Sequence, residues 1–266
     1  MSKKFYRFES FFLTIAVLSS ITILFLLAPI IALFLMMDPM VFEKALFKDR
    51  VLAEEAWAAF YRTMLAATLS SILLLVIGIP LAYILARKDF PGKNILEGLI
   101  DIPLMIPHAV AGIMILVAYS RRGLFSSVTS TLGIPIADSF WGIVAVMLFV
   151  SAPIMIDTVK VGIQDVDPMY EYIARSLGAS PWRVFFTVTL PISFHSIIAG
   201  FILSWARAVS EVGAILIVAY YPKTINVLVI EWFNTYGLQY AIALSIVLVV
   251  VSLILFTLLR MVVTRR

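Results

Sequence analysis

The chain has 266 residues, 62% of them apolar and 14% charged, with a formal net charge of +4. An ordinary globular domain is about half apolar and about a quarter charged. So much apolar surface excludes a soluble core as its only hiding place and makes lipid the solvent. The absence of cysteine further excludes disulfides, haem-type CxxCH attachment and thiolate metal sites.

A spanning helix needs ~20 apolar residues to cross ~30 Å of hydrocarbon. Six runs without Asp, Glu, Lys or Arg approach or exceed that length: Phe11 to Met37, Met64 to Ala86, Ile102 to Ser120, Ser139 to Ile156, Val184 to Ala206 and Leu238 to Leu259. They predict an all-α polytopic membrane protein with six transmembrane helices, one domain over residues 1–266. The first run follows Lys3, Lys4 and Arg7. It is far longer than the ~7–15 residues of a signal-peptide core, so it reads as a retained helix. Between the first two runs, Asp38 to Arg62 mixes charges of both signs with Trp57 and Tyr61. It reads as an interfacial helix with aromatic anchors, or as a surface for an external binding protein.

The third run carries Asp101 at its edge and His108 within, with Pro103 and Pro107 between them. Proline kinks a lipid-buried helix. The segment is either a bendable span near a pore or a fixed kink with His108 bonded to a neighbour. Asp157 and Lys160, at the end of the fourth run, read as a local ion pair. Gly112, Gly142 and Gly200 are placed for close helix packing.

The polar segment "DPMYEYIARSLGASPWRVFFTVTLP" follows, residues 167–191. Asp167 is an N-cap, Pro168 stands at the first helical position, and Gly178 is a C′ glycine. Ser180-Pro181 starts a second short helix, which Leu190-Pro191 ends. Met169, Ile173 and Leu177 share a face, and Glu171 and Arg175 are spaced i, i+4 in the favourable order. A helix this short is marginal in water. It needs either the rest of the domain or a docked partner.

From Pro191 to Tyr221 the chain is apolar except for Arg207 and Glu211. It reads as one interrupted span, broken near "SEVGA". Intramembrane charge marks function by default. Arg207 can offer an anion a charge that Glu211 neutralises between transport events, or the two can simply pair and hold the bundle. A tightly binding cage would not release its ion. The expected translocation path comprises Arg207, Glu211, Ser204 and His108.

Lys and Arg counts set the topology. With both termini cytoplasmic, the inside segments hold Lys3, Lys4, Arg7, Arg87, Lys88, Lys93, Lys160, Arg175, Arg183, Arg260, Arg265 and Arg266. The outside segments hold fewer: Lys44, Lys48, Arg50, Arg62, Arg121, Arg122 and Lys223. Arg207 remains inside a span. The positive charge is therefore chiefly a topology signal, and no nucleic-acid partner is expected. The segment 165–191 faces the cytoplasm.

"EYIARSLGASPWRVFFTVTLP" resembles the EAA loop of ABC-importer permeases through Ala174, Gly178, Val188, Leu190 and Pro191. Ile173 replaces the family's first alanine. Tyr172 stands where its glutamate is usual, with Glu171 one residue earlier. "PLAYILARKDFPGK", "LIDIPLMIPHAVAGI" and "SWARAVSEVGA" are similar to permeases for tetrahedral oxyanions, those for molybdate and tungstate first and sulfate next. The resemblance implies a type I ABC-importer permease fold in the plasma (inner) membrane. It also implies that residues 165–191 couple the spans to an ATPase through Glu171, Ala174, Arg175, Gly178, Leu190 and Pro191. Two copies of an ABC ATPase, a second copy of this chain and an extracytoplasmic substrate-binding protein are the implied partners. ATP and Mg2+ would be bound by the ATPase and no cofactor by this chain.

The sequence has no Gly-x-x-x-x-Gly-Lys-Ser/Thr, so no P-loop. It has no His-Glu-x-x-His and no Gly-x-Ser-x-Gly, so an intramembrane enzyme is unsupported. The rival is an ATP-independent secondary transporter, which calls for internal repeats with matching broken helices. No such repeat stands out between the halves.

Overall fold

The computed structural model describes residues 2–264, with the side chains of 2–9, 258–260 and 262–264 outside that description. The terminal charges used for topology (Lys3, Lys4, Arg7, Arg260, Arg265 and Arg266) thus lie outside the described residues or side chains. Among the described residues the chain is helical throughout, without a strand.

Helix α1 (Ser2–Leu35) is long enough to span by itself. It stands off the bundle: residues 10–32 are all exposed. Asp38 caps α2 (Pro39–Glu43) by accepting from the Met40 and Val41 amides, and a π-helical turn (Lys44–Lys48) follows. Asp49 then caps α3 (Arg50–Arg87). The interfacial helix expected over Asp38 to Arg62 is therefore only partly separate. From Arg50 it is continuous with the second span. At 1.5 Å per residue α3 is about 57 Å long and projects beyond ~30 Å of hydrocarbon.

The third expected span is not straight. Helices α4 (Lys93–Met105) and α5 (His108–Tyr119) meet at 118°. The break falls at Pro107, and Ile106 before it is extended (φ −84°, ψ 149°), the conformation a following proline imposes. Pro103 stays inside α4 without breaking it. After α6 (Ser126–Thr131) comes α7 (Phe140–Gln164), an uninterrupted fourth span.

The polar segment forms α8 (Pro168–Ser176) and α9 (Pro181–Val184), then a π-helical turn (Phe185–Thr189) and α10 (Leu190–Ile192). A 72° bend at Ser193 leads into α11 (Phe194–Val209). The interruption expected near "SEVGA" is present: Ser210 to Val212 separate α11 from α12 (Gly213–Val218). Helices α13 (Ile225–Tyr236) and α14 (Leu238–Thr264) complete the chain. Four helices are long and apolar enough to cross a membrane, and six spans result if each bent pair is one.

Three apolar clusters join these parts. Ala66, Val146, Met147, Ala208, Val209, Ile215 and Val218 bring α3, α7, α11 and α12 together. Leu46, Leu52, Ala59, Leu228, Trp232 and Leu244 fasten α3 to α13 and α14. Leu74, Leu85, Met155, Val159 and Ile163 bind the Arg87 end of α3 to α7. The close packing expected of three glycines is observed. A Cβ on Gly112 would lie 2.7 Å from the Ala214 carbonyl oxygen, one on Gly142 would overlap that of Ile136, and one on Gly200 would meet Met155 Sδ at 3.0 Å.

Candidate functional site

Two sets of residues carry the functional expectations, one in the polar segment and one at the break between α11 and α12. In the first, Asp167 Oδ1 accepts from the Met169 amide at 2.8 Å, and Pro168 at the first helical position has no N–H to satisfy. At the other end Gly178 has φ +89°, a left-handed conformation that costs a β-carbon-bearing residue about 1–2 kcal/mol. The amides of Gly178 and Ala179 close the helix on the Arg175 and Ala174 carbonyls. The Ser180 hydroxyl then caps α9 by accepting from the Arg183 amide at 3.3 Å.

Met169, Ile173 and Leu177 are all more than half exposed. The apolar face of α8 therefore does not lie on this chain. Arg175 and Pro191 are exposed, and Ala174 and Leu190 half-buried. Glu171 is turned inward. Its Oε1 accepts from Arg87 Nε at 2.9 Å and Thr189 Oγ1 at 2.8 Å, and its Oε2 from the Tyr83 hydroxyl at 3.1 Å. The expected i, i+4 partner, Arg175, is replaced by Arg87. Arg87, Tyr83 and Thr189 all lie in stretches that resemble permeases, but nothing in the sequence marks them as partners of Glu171.

The second set assembles residues from α5 and α11 around Glu211, which is fully buried. Arg207 Nη2 donates to Glu211 Oε2 at 2.8 Å, and His108 Nδ1 lies 2.7 Å from the same oxygen. Glu211 Oε1 accepts from the Ala214 amide at 2.8 Å, so the carboxylate also caps α12 at its positive end. The pairing reading holds: Arg207 and Glu211 are bonded, and His108 is bonded to a neighbour as well. The ring is half exposed and Arg207 mostly covered, so the cluster has one open edge.

Two contacts explain why the chain breaks here. A Cβ on Gly213 would lie 2.7 Å from His108 Cβ, so α12 can begin against α5 only at glycine. Asn226 Nδ2 donates to the carbonyls of Val209 and Glu211 at 2.6 and 3.0 Å, taking up acceptors the broken helix leaves free. Asn226 was missed from sequence, where a lone asparagine has no distinguishing pattern. Ser204 is fully buried and its hydroxyl donates to the Phe201 carbonyl of its own helix; it does not share the open edge. Asp157 and Lys160 pair at 3.2 Å as expected, with Glu97 added at 3.3 Å.

Spans broken around a charged cluster, with a capped helix pair projecting from one end, define the fold of an ABC-transporter membrane subunit. It superposes on a chain of the crystal structure of a bacterial alginate ABC transporter in complex with alginate pentasaccharide-bound periplasmic protein. The TM-score is 0.72, over 94% of this chain and 93% of that one, at 18% identity. The chain belongs to the family of binding-protein-dependent transport system inner membrane components, whose pattern matches residues 78–266. It is similar to the molybdate/tungstate transport system permease protein of Thermococcus kodakarensis, 49% identical over 78% of this chain and 79% of that one. The protein of that name from Pyrococcus abyssi is 44% identical over 92% of each. The chain is thus a multi-pass membrane permease.

Proposed function

We propose that the chain is the membrane-spanning subunit of an ATP-driven importer of molybdate and tungstate. The observation that carries the substrate is the 44% identity, over 92% of both chains, to a permease named for those two anions. The exposed apolar face of α8 supports docking to a separate ATPase by the helix-in-groove mode. ATP and Mg2+ belong to that partner. The exposure of α1 supports a homodimer: a helix exposed over residues 10–32 can pack on a second copy, and two ATPases need two α8 segments. An extracytoplasmic binding protein delivers the anion, and both termini are cytoplasmic.

In this reading ATP-driven closure of the ATPase pair moves α8 and, through it, the spans. The cluster at the α11–α12 break meets the anion at its open edge. Arg207 attracts it, Glu211 prevents it from lodging, and His108 offers a ring nitrogen. Because Arg207 is already paired, attraction is weak enough to permit release.

The test is to purify the protein from its native membrane in mild detergent and identify what accompanies it. A stoichiometric P-loop protein, ATP hydrolysis stimulated by the loaded binding protein, and uptake of radiolabelled molybdate or tungstate into proteoliposomes are expected. Uptake of sulfate in preference to either would replace the substrate. Uptake without any ATPase would replace the importer by a secondary transporter.

A further inference from the structure

We infer that Glu171 and Arg87 form an internal strut that makes α8 and the last turn of α3 move as one body; the inference rests on the importer reading above. The helix geometry is the starting point. Successive residues of a helix are turned by about 100°. Tyr170 and Tyr172, on either side of Glu171, are 56% and 65% exposed, whereas the Glu171 side chain is 13% exposed and that of Arg87 10%. The carboxylate of α8 therefore faces the membrane domain and not the surface that meets the ATPase.

The bonds of the Glu171–Arg87 pair join four elements, α8 included. Arg87 and Tyr83 come from successive turns of α3, and Thr189 from the π-helical turn in the first arm of the bent fifth span. Arg87 also donates through Nη2 to the Val166 carbonyl at 2.8 Å, just past the end of α7. Tyr83 in turn packs edge-on against Phe185 at 5.0 Å between ring centroids. Thus α3, the end of α7, α8 and the entry to α11 converge on one charge pair.

Charge-assisted bonds in a covered site are stronger than neutral ones. Separating the partners leaves a covered, uncompensated charge, which is strongly unfavourable. By contrast α8, with no fully buried residue of its own, has little else to hold it in one orientation. A push on its exposed face is therefore transmitted to α3 through Glu171 instead of being lost as a local tilt of the loop. Arg87 is accordingly a positioning residue for transport, although it touches neither the anion nor the exposed face of α8.

The experiment uses the whole complex in proteoliposomes and reads molybdate taken up per ATP hydrolysed. Arg87→Met is expected to keep the ATPase subunits bound and to lower uptake per ATP by about tenfold, within the range of ordinary coupling energies. Arg87→Lys should recover part of the loss. Arg87→Met with Glu171→Gln should be no worse than the poorer single variant, as expected for two residues of one unit. Tyr83→Phe with Thr189→Val, which keeps the ion pair, should give a smaller loss and serves if Arg87→Met does not fold. Wild-type uptake per ATP in Arg87→Met, or in the Tyr83–Thr189 variant where that one alone folds, would overturn the strut. Loss of the ATPase subunits on Glu171→Gln alone would also overturn it and make Glu171 a docking contact. Gly178→Trp separates the two levels. If it leaves uptake per ATP unchanged, the coupling role of the loop itself fails; if it uncouples while Arg87→Met does not, only the strut fails.

Discussion

Replacing Glu211 by glutamine tests the buried cluster with almost no change of shape. The carboxylate accepts three hydrogen bonds, from Arg207, His108 and the Ala214 amide, at 2.8, 2.7 and 2.8 Å. A glutamine oxygen can keep the Ala214 amide. Its NH2 group then faces the Arg207 guanidinium, donor against donor, and the cation has no counter-charge. Removing one partner of a buried pair costs about 3–5 kcal/mol. Arg207 keeps 18% of its side chain exposed, so the lower end, about 3 kcal/mol, applies. At ~2–4 °C per kcal/mol for a domain of this size, the midpoint of thermal unfolding in detergent should fall by roughly 6–12 °C. Differential scanning fluorimetry of the purified protein measures it. Arg207→Met with Glu211→Gln should be more stable than Glu211→Gln alone, because no unpaired charge is left. A midpoint for Glu211→Gln within about 1 °C of wild type, where ~3 kcal/mol is at stake, would refute the buried pair. So would a double variant less stable than the single.

Gly142→Ala should lower the midpoint by several degrees at unchanged pH, since its Cβ would overlap the Ile136 carbonyl oxygen and approach Val218 at 3.0 Å; overpacking of this kind costs about 1–3 kcal/mol. Asp167→Ala removes the cap on α8 and should cost about 1 kcal/mol of local stability, read as faster amide exchange in residues 168–176 with the spans unaffected. The third concerns alkaline pH. Burial disfavours the Lys223 ammonium, but hydrogen bonds to Glu231 and Glu55 and their charges outweigh it and raise its pKa to about 12. Its contribution is therefore complete below the ordinary value of 10.5 and is lost as pH rises towards 12. Lys223→Met should erase that part of the stability loss between these values, measured as the difference between the two proteins' unfolding midpoints across the window.

Much of the fold was legible because the bilayer constrains sequence so strongly. Backbone polar groups in lipid must bond internally, so six apolar runs implied six helical crossings. Capping chemistry is local, which is why Asp167 and Gly178 delimited α8 and Ser180 marked the start of α9; the stop expected at Leu190-Pro191 is absent, since α9 ends at Val184 and α10 runs through both residues. The kink expected at the prolines of the third span is present at Pro107, but its size, 118°, was not legible. A run free of charges says nothing of direction, and the turn at Pro107 joins a helix that begins at Lys93, in a stretch whose polar residues read as loop. The Arg50 end of α3 was missed for the converse reason: once a helix leaves hydrocarbon its residues turn polar, although the helix continues.

The functional side chains divide along the same line. Arg207 and Glu211 could be paired from sequence because i, i+4 residues share a helix face. His108 could be linked to them only by the fold, since α5 and α12 are brought together by Gly112 and Gly213, small at the points where the two backbones approach. For Glu171 the local rule misled. Arg175 was the available i+4 partner, but it stays in solvent, where an exposed pair is worth only about 0.3–0.5 kcal/mol. Arg87 offers a covered site with a second acceptor, Val166, already in place. A charge pair forms where desolvation is shared among several bonds, and sequence spacing does not report that. The same preference has a mechanical consequence. By drawing Glu171 inward, the covered site leaves the outer face of α8 to Met169, Ile173 and Leu177, so that one short helix carries an apolar surface outside and an ionic anchor inside.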